Sequence, residues 1–249
     1  MTAPGSLPLL SDHSPDSIIA WRHGAAIPVV RFLDDVQRVA RELPEGGHVL
    51  NVCADRYRFA VGLAATLVAG KVSLLPSTLT PDVVTHLRAF APDTICLREE
   101  GQDEQADLDL PHVLYPEGNA PGRAPGGIPE IPVERQVAWV FTSGSTGTPV
   151  PHRKTWGALV RNVRAEGGLL GFRDGRRHTL VGTVPPQHMY GFESTVLVAL
   201  QNGAAFNAGR PLFPADICSA LDAVPSPRAL VTTPFHLRTL LDAGIDIPP

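Results

Sequence analysis

Cysteine is scarce in this 249-residue chain: Cys53, Cys96 and Cys218 stand far apart with no Cys-x-x-Cys pair, which excludes a disulfide framework and a cysteine-ligated zinc site. A reducing cytoplasm is therefore the expected location. No run approaches the roughly 18 apolar residues of a membrane span, and no basic segment followed by an apolar core opens the chain. Neither a membrane span nor a secretory signal is read. The 21 Lys and Arg residues form no cluster and the net charge is -4, so there is no electrostatic footprint for nucleic acid. Also missing are the Gly-x4-Gly-Lys-Ser/Thr loop, the Gly-x-Gly-x-x-Gly dinucleotide fingerprint, an internal repeat and any metal-ligand spacing.

What is present is an ordinary globular composition, 43% hydrophobic and 18% charged, enough for a sizeable core in one or two domains. Strand-like and helix-like patterns alternate, which predicts an α/β fold of layered, mostly parallel sheets with helices on both faces. Phe32, Leu33, Val36, Val39, Ala40 and Leu43 form a helical stripe, with Asp34 and Asp35 expected in its first turn. His48 to Cys53 reads as a strand, and Tyr57 to Ala69, apolar on nearly all sides, as a helix buried between layers. Thr80-Pro81 and Thr233-Pro234 pair a capping hydroxyl with a proline suited to the first helical position. Trp156, Leu159, Val160 and Val163 give a further helix one apolar face, with Gly167-Gly168 as its expected end. The Pro- and Gly-dense stretch from Glu117 to Pro132 reads as a surface connection.

The most informative segment is Val137-Ala-Trp-Val-Phe-Thr-Ser-Gly-Ser-Thr-Gly-Thr-Pro-Val-Pro-His-Arg-Lys-Thr-Trp156. Val137 to Phe141 has the character of an interior parallel strand, and the helical pattern resumes after Pro151. Residues 142–149 are therefore expected to form a strand-to-helix connection, the place where α/β proteins bind ligands. Thr142, Ser143, Ser145 and Thr146 offer hydroxyls there, and Gly144 and Gly147 let backbone N–H groups approach an anion. A nucleophile elbow is rejected, because neither serine is flanked by the Gly-x-Ser-x-Gly pattern. The competing reading is a flexible surface connection.

Phe141-Thr-Ser-Gly-Ser-Thr-Gly-Thr-Pro149 resembles the signature loop of the adenylate-forming enzymes, the superfamily of acyl-CoA synthetases, peptide-synthetase adenylation domains and luciferases. Downstream, Val184-Pro-Pro-Gln-His-Met-Tyr-Gly-Phe-Glu193 is similar to the family's Pro-x-x-His-x-x-Gly element beside the acyl pocket. The resemblance implies ATP- and Mg2+-dependent activation of a carboxylic acid followed by transfer to a thiol of CoA or an acyl carrier protein. It places Thr142, Ser143, Gly144, Ser145, Thr146 and Gly147 on the ATP phosphates. It places His188, Tyr190 and Gly191 at the substrate pocket, with Phe192 close by as part of an aromatic wall. A first lobe over residues 1–175 and the start of a second over 176–249 are expected. No catalytic residue is assignable, and the family's C-terminal domain is expected to lie outside these residues. The chain thus resembles an incomplete N-terminal portion, expected to be inactive alone.

The sequence departs from the family where Val150 and Pro151 replace the usual Lys-Gly after the loop proline. His152, Arg153 and Lys154 are candidates to compensate, expected at the start of the next helix where its dipole favours an anion; solvated residues are the alternative. Ser-Gly-Ser-Thr-Gly-x-Pro-x-Pro-x-x-Lys-x-Trp is most similar to the shorter ligases of aryl-polyene and xanthomonadin-type pigment synthesis. That resemblance implies a hydroxybenzoate-like aryl acid loaded onto a carrier protein. A non-catalytic nucleotide-binding or interaction module on the same scaffold is the alternative, favoured by the missing loop lysine.

Overall fold

A computed structural model describes residues 5–101, 108–118, 126–142 and 150–248. In chain order these form β1 (Ser6–Pro8), β2 (Ile18–Arg22), β3 (Ala25–Pro28), α1 (Val29–Glu42), β4 (His48–Asn51), α2 (Arg56–Val68), β5 (Val72–Leu75), α3 (Pro81–Phe90), β6 (Thr94–Arg98), β7 (His112–Leu114), β8 (Glu130–Pro132) and β9 (Gln136–Thr142). Then come β10 (Val150–Thr155), α4 (Trp156–Leu169), β11 (Thr179–Gly182), α5 (Met189–Gly191), a π-helical stretch (Phe192–Leu197), α6 (Val198–Gln201), β12 (Ala205–Asn207), α7 (Pro214–Asp222), β13 (Arg228–Val231) and α8 (Pro234–Asp242).

Two sheets carry the architecture. The first runs β10-β9-β5-β4-β6-β7 and is parallel except where β10 turns back on β9; the second runs β13-β11-β12-β2-β3 and is parallel except for β3. Strand side chains alternate, so each interior strand feeds two cores. Val49, Leu75 and Val140 enter the main core with Phe32 of α1, Phe59 of α2 and Trp156 of α4, while Leu50, Leu74 and Phe141 pack with Leu87 of α3 on the opposite face. In the second sheet Leu180 joins the main core and Val181 packs against Ile217 and Leu221 of α7 and Leu240 of α8. Helices thus cover both faces, as the alternating pattern implies. β2 and β3 join β11 to β13 in one sheet, so strand pairing crosses the expected boundary near residue 175.

Local chemistry explains the helix starts. Thr80 and Thr233 accept hydrogen bonds from the N–H groups of Val83 and His236, with proline at the first turn in both helices. Asp55 caps α2 in the same way through the N–H of Arg58. Gly62 within α2 faces Asn51 and Leu97, where a Cβ would stand 2.5 Å from both side chains, so the helix lies almost on β4 and β6.

Four expectations need correction. Asp34 and Asp35 miss the first turn, because α1 begins at Val29; Asp35 is instead buried, accepting from Tyr57 Oη at 2.7 Å and Arg31 Nε at 3.2 Å. Gly167-Gly168 does not end α4, which runs to Leu169 with Gly171 taking the left-handed conformation at φ 79°. Gly167 is small for another reason: an added Cβ would meet the Asn202 side chain at 2.4 Å. The Pro- and Gly-rich connection closes in a strand, β8, paired with β1. Residues 150–155 form β10, an edge strand, so Thr142 to Pro149 connects two antiparallel strands rather than a strand and a helix. Pro151 is tolerated there because an edge strand need not donate on its outer side.

Candidate functional site

The carboxyl ends of the parallel strands in the two sheets face one another across a cleft of about 790 Å³. Pro76 and Ser77 just beyond β5, Val140 to Thr142 at the end of β9, and Val184 beyond β11 form its walls, with His152, Arg153 and Lys154 of β10 along one side. Gln187, His188, Met189, Tyr190 and Thr233 close the other. An adjoining compartment of about 240 Å³ shares Pro76, Ser77, Gln187 and His188 and is lined further by Asn51 and Arg210. Carboxyl strand ends are where open α/β sheets bind ligands, since the loops there diverge and leave a crevice.

Hairpin pairing places the cations. Thr142 pairs with Val150 and Val140 with His152, which brings Thr142 Oγ1 within 3.1 Å of His152 Nε2. His152 and Lys154 share a face of β10, while Arg153 Nε donates to Gln136 Oε1 at 3.2 Å. These three residues were expected at a helix start; they precede α4 on a strand, and the helix begins only at Trp156. Any attraction for an anion is therefore that of the side chains, without a helix dipole. Ser143, Gly144, Ser145, Thr146 and Gly147 lie outside the described residues.

On the opposite wall His188 is exposed just before α5, and its ring makes no hydrogen bond among the described residues. Tyr190 borders the cleft with its hydroxyl donating to the Thr232 carbonyl at 3.2 Å. Burial, with Glu166 nearby, pushes the Tyr190 pKa upward. Gly191 sits behind the wall: a Cβ there would lie 2.1 Å from the Pro185 carbonyl oxygen, so glycine lets α5 press against the 183–188 loop. Phe192 does not line the cleft; it is buried in the main core, one residue too far round the helical turn. Met189 and Phe141 supply apolar wall in its place.

Two features escaped the sequence reading. Arg56 is fully buried and has carbonyls for partners: its Nη1 donates to Asn207 at 3.0 Å and to Gly209, its Nη2 to Gly182 at 2.8 Å and Val184 at 2.9 Å. One guanidinium thus ties the start of α2 to the carboxyl ends of β11 and β12, just behind the cleft. Burial, then the charge of Arg210, lowers its pKa to about 10, so it stays charged at neutral pH. Glu193 is the second. Its Oε1 is buried with no hydrogen-bond partner among the described residues, and burial raises its pKa against the nearby Lys154 charge. Nothing in the local pattern distinguishes either residue from a solvated one.

A donor set of hydroxyl, imidazole, guanidinium and ammonium suits a polyphosphate. No Asp or Glu lines the cleft among the described residues, and these residues hold no group of three or more metal-type side chains. No described helix is long and apolar enough to cross a membrane.

No protein-family model matches the chain. It is 33% identical over 110 residues to a 4-coumarate–CoA ligase of Halorhodospira halophila, covering 43% of this chain and 25% of that protein. It is 32% identical over 151 residues to the nonribosomal peptide synthetase gloA of Glarea lozoyensis, covering 55% of this chain and 2% of that one. Among solved structures, o-succinylbenzoate CoA synthetase of Bacillus subtilis in complex with an acyl-adenylate intermediate superimposes with a TM-score of 0.78 at 14% identity, over 98% of this chain and 66% of the other. ATP-bound MatB from Rhodopseudomonas palustris does so with a TM-score of 0.73 at 18% identity, over 93% and 49%. The chain spans about a quarter of the curated ligase and half to two thirds of the solved enzymes. The solved structures establish the fold, that of the amino-terminal domain of adenylate-forming enzymes. The sequence relatives support the same superfamily.

Proposed function

We propose that these residues form the phosphate-holding and acid-facing part of an adenylate-forming acid–thiol ligase. The observation that carries this reading is one cleft in which the exit of β9 and the cations of β10 face the His188 wall. In the proposed reaction an acid carboxylate oxygen bonds to the α-phosphorus of ATP, the bond to the β-phosphate oxygen breaks, and pyrophosphate leaves with the electron pair. The thiol sulfur of CoA or an acyl carrier protein, giving up its proton, then bonds to the acyl carbon, the bond from that carbon to the phosphate oxygen breaks, and AMP leaves. Residues 142–147 and Lys154 hold the phosphates, while His188, Tyr190 and Gly191 shape the acid pocket, Gly191 by positioning the wall. No described residue of the lining is assigned to Mg2+, which belongs to this proposal as the ion that accompanies ATP.

The acid of this proposal is an aryl acid such as a hydroxybenzoate, supported by the loop pattern and by Phe141 and Tyr190 bordering the cleft. A cytoplasmic location belongs to the same reading, as does a division into lobes at 1–175 and 176–249 in which β2 and β3 of the first stretch complete the sheet of the second. A second reading, a nucleotide-binding module without chemistry, is favoured by Val150, which is 46% exposed where the loop's resemblance implies a lysine.

Lys154→Ala separates the roles. A charge-assisted hydrogen bond contributes about 1.5–3 kcal/mol, so kcat/KM for ATP is expected to fall roughly ten- to a hundredfold. Unchanged ATP kinetics would remove Lys154 from the phosphate site.

A further inference from the structure

We propose that the compartment adjoining the cleft is a carboxylate subsite built on Arg210, so that an acid with a second carboxylate is preferred over one without. This rests on the reading of the cleft as an acid site and names the group at the far end of the acid. The compartment lies between the exits of β4 and β5 and the 185–188 loop, and Pro76, Ser77, Gln187 and His188 border both it and the cleft. Its volume of about 240 Å³ is below the roughly 300–1,000 Å³ of a pocket that holds a whole drug-sized ligand. It therefore takes one end of a molecule whose remainder lies in the cleft.

No Asp or Glu lines the compartment among the described residues, and the guanidinium of Arg210 makes no hydrogen bond or ion pair with any of them. The backbone before Arg210 is anchored: the Gly209 N–H donates to Asn207 Oδ1 at 2.8 Å, and the Gly209 carbonyl accepts from buried Arg56. Arg56 adds a second positive charge behind the wall, and its own partners are carbonyls, which bring no neutralising charge. Burial, then the charge of Arg210, lowers the Arg56 pKa, so the two cations sense each other. Asp55, whose charge also reaches Arg56, is itself paired with Arg22 Nε at 2.9 Å. An anion entering the compartment is thus attracted by a cation that no carboxylate of the lining neutralises. The polar lining divides by role. Asn51 is committed to the wall, its Nδ2 donating to the Phe59 carbonyl at 3.0 Å and its Oδ1 accepting from the Cys53 N–H at 3.1 Å. Gln187 Nε2 donates to the Cys53 carbonyl. The Ser77 and Thr78 hydroxyls have no partner among the described residues and are left to donate to a ligand. A guanidinium fork with hydroxyl donors in the same small space matches the two oxygens of a carboxylate.

The test is calorimetric titration of the protein, without ATP, with two matched pairs, benzoate and benzene-1,4-dicarboxylate, hexanoate and adipate, and with inorganic phosphate. One charge-assisted hydrogen bond raises affinity roughly ten- to a hundredfold, so at least one dicarboxylate is expected to bind that much tighter than its monocarboxylate partner. Arg210→Lys, which keeps the charge and loses the fork, should retain part of the preference, and Arg210→Gln should abolish it. Equal affinities within both pairs, binding of no acid at millimolar concentration, or an unchanged preference in a folded Arg210→Gln protein overturns the subsite. Phosphate binding that is lost in Arg210→Gln, without any dicarboxylate preference, also overturns it and assigns the compartment to a phosphate. An Arg210-dependent preference in a protein that releases no pyrophosphate from Mg-ATP would retain the subsite and remove the ligase reading.

Discussion

At the scale of single residues, the fold depends on a few buried polar groups whose partners are backbone atoms. Replacing Arg56 by Met leaves the carbonyls of Gly182, Val184, Asn207 and Gly209 without their shared donor inside the protein. Removing one side of such a network costs about 3–5 kcal/mol, and a urea unfolding midpoint lowered accordingly is the expected result. A change below about 1 kcal/mol would mean that water replaces the guanidinium at no cost. His13 carries a pH dependence. Burial lowers its pKa from 6.5 to about 4, outweighing the hydrogen bond between Nε2 and the Ala199 carbonyl at 3.0 Å. The unfolded chain takes up the proton near 6.5 and the folded protein only near 4, so stability is complete above the upper value and falls as pH drops toward the lower. The loss reaches up to about 3 kcal/mol. In His13→Gln this part of the pH profile should flatten; an identical slope in both proteins would place the titrating group elsewhere. Caps were legible in the sequence because Thr-Pro states both the hydroxyl and the helical φ. Arg56 was not, since its partners come from strands more than a hundred residues away.

At the scale of elements, hydrophobic periodicity revealed α1, α2, β4 and β9, all of which bury a face. It missed β10, whose Val-Pro-His-Arg-Lys-Thr sequence has two flanks in solvent and hence no apolar alternation. That single misreading moved Lys154 from a helix entrance to a strand edge, although Lys154 still borders the cleft. The end of α4 was misplaced for a related reason: Gly167 reads as a terminator but serves close packing against Asn202. The His188 wall gives a direct test of element packing. Gly191→Ala would press a methyl group against the Pro185 carbonyl, forcing α5 and the 183–188 loop apart. Overpacking of this kind costs about 1–3 kcal/mol. It is expected to weaken acid binding in the cleft more than ATP binding. Wild-type affinity for the acid in the variant would show that the wall tolerates the shift.

At the scale of the whole molecule, the cleft exists because two sheets present their carboxyl edges to each other. The second sheet takes β2 and β3 from the start of the described chain and β11, β12 and β13 from its later part, a non-local pairing that no local pattern encodes. The loop pattern and the Pro-x-x-His-x-x-Gly element were each readable alone; the convergence of the β9 exit and the β10 cations with the His188 wall on one cleft was not. That convergence is the central claim, and the most direct measurement is acid-dependent pyrophosphate release from Mg-ATP by the gene product containing these residues, across hydroxybenzoates, cinnamates and fatty acids. Release that requires an aryl acid, and that falls roughly ten- to a hundredfold in Lys154→Ala, is the predicted result. Tight ATP binding with no pyrophosphate released by any acid would contradict it and favour the non-catalytic module.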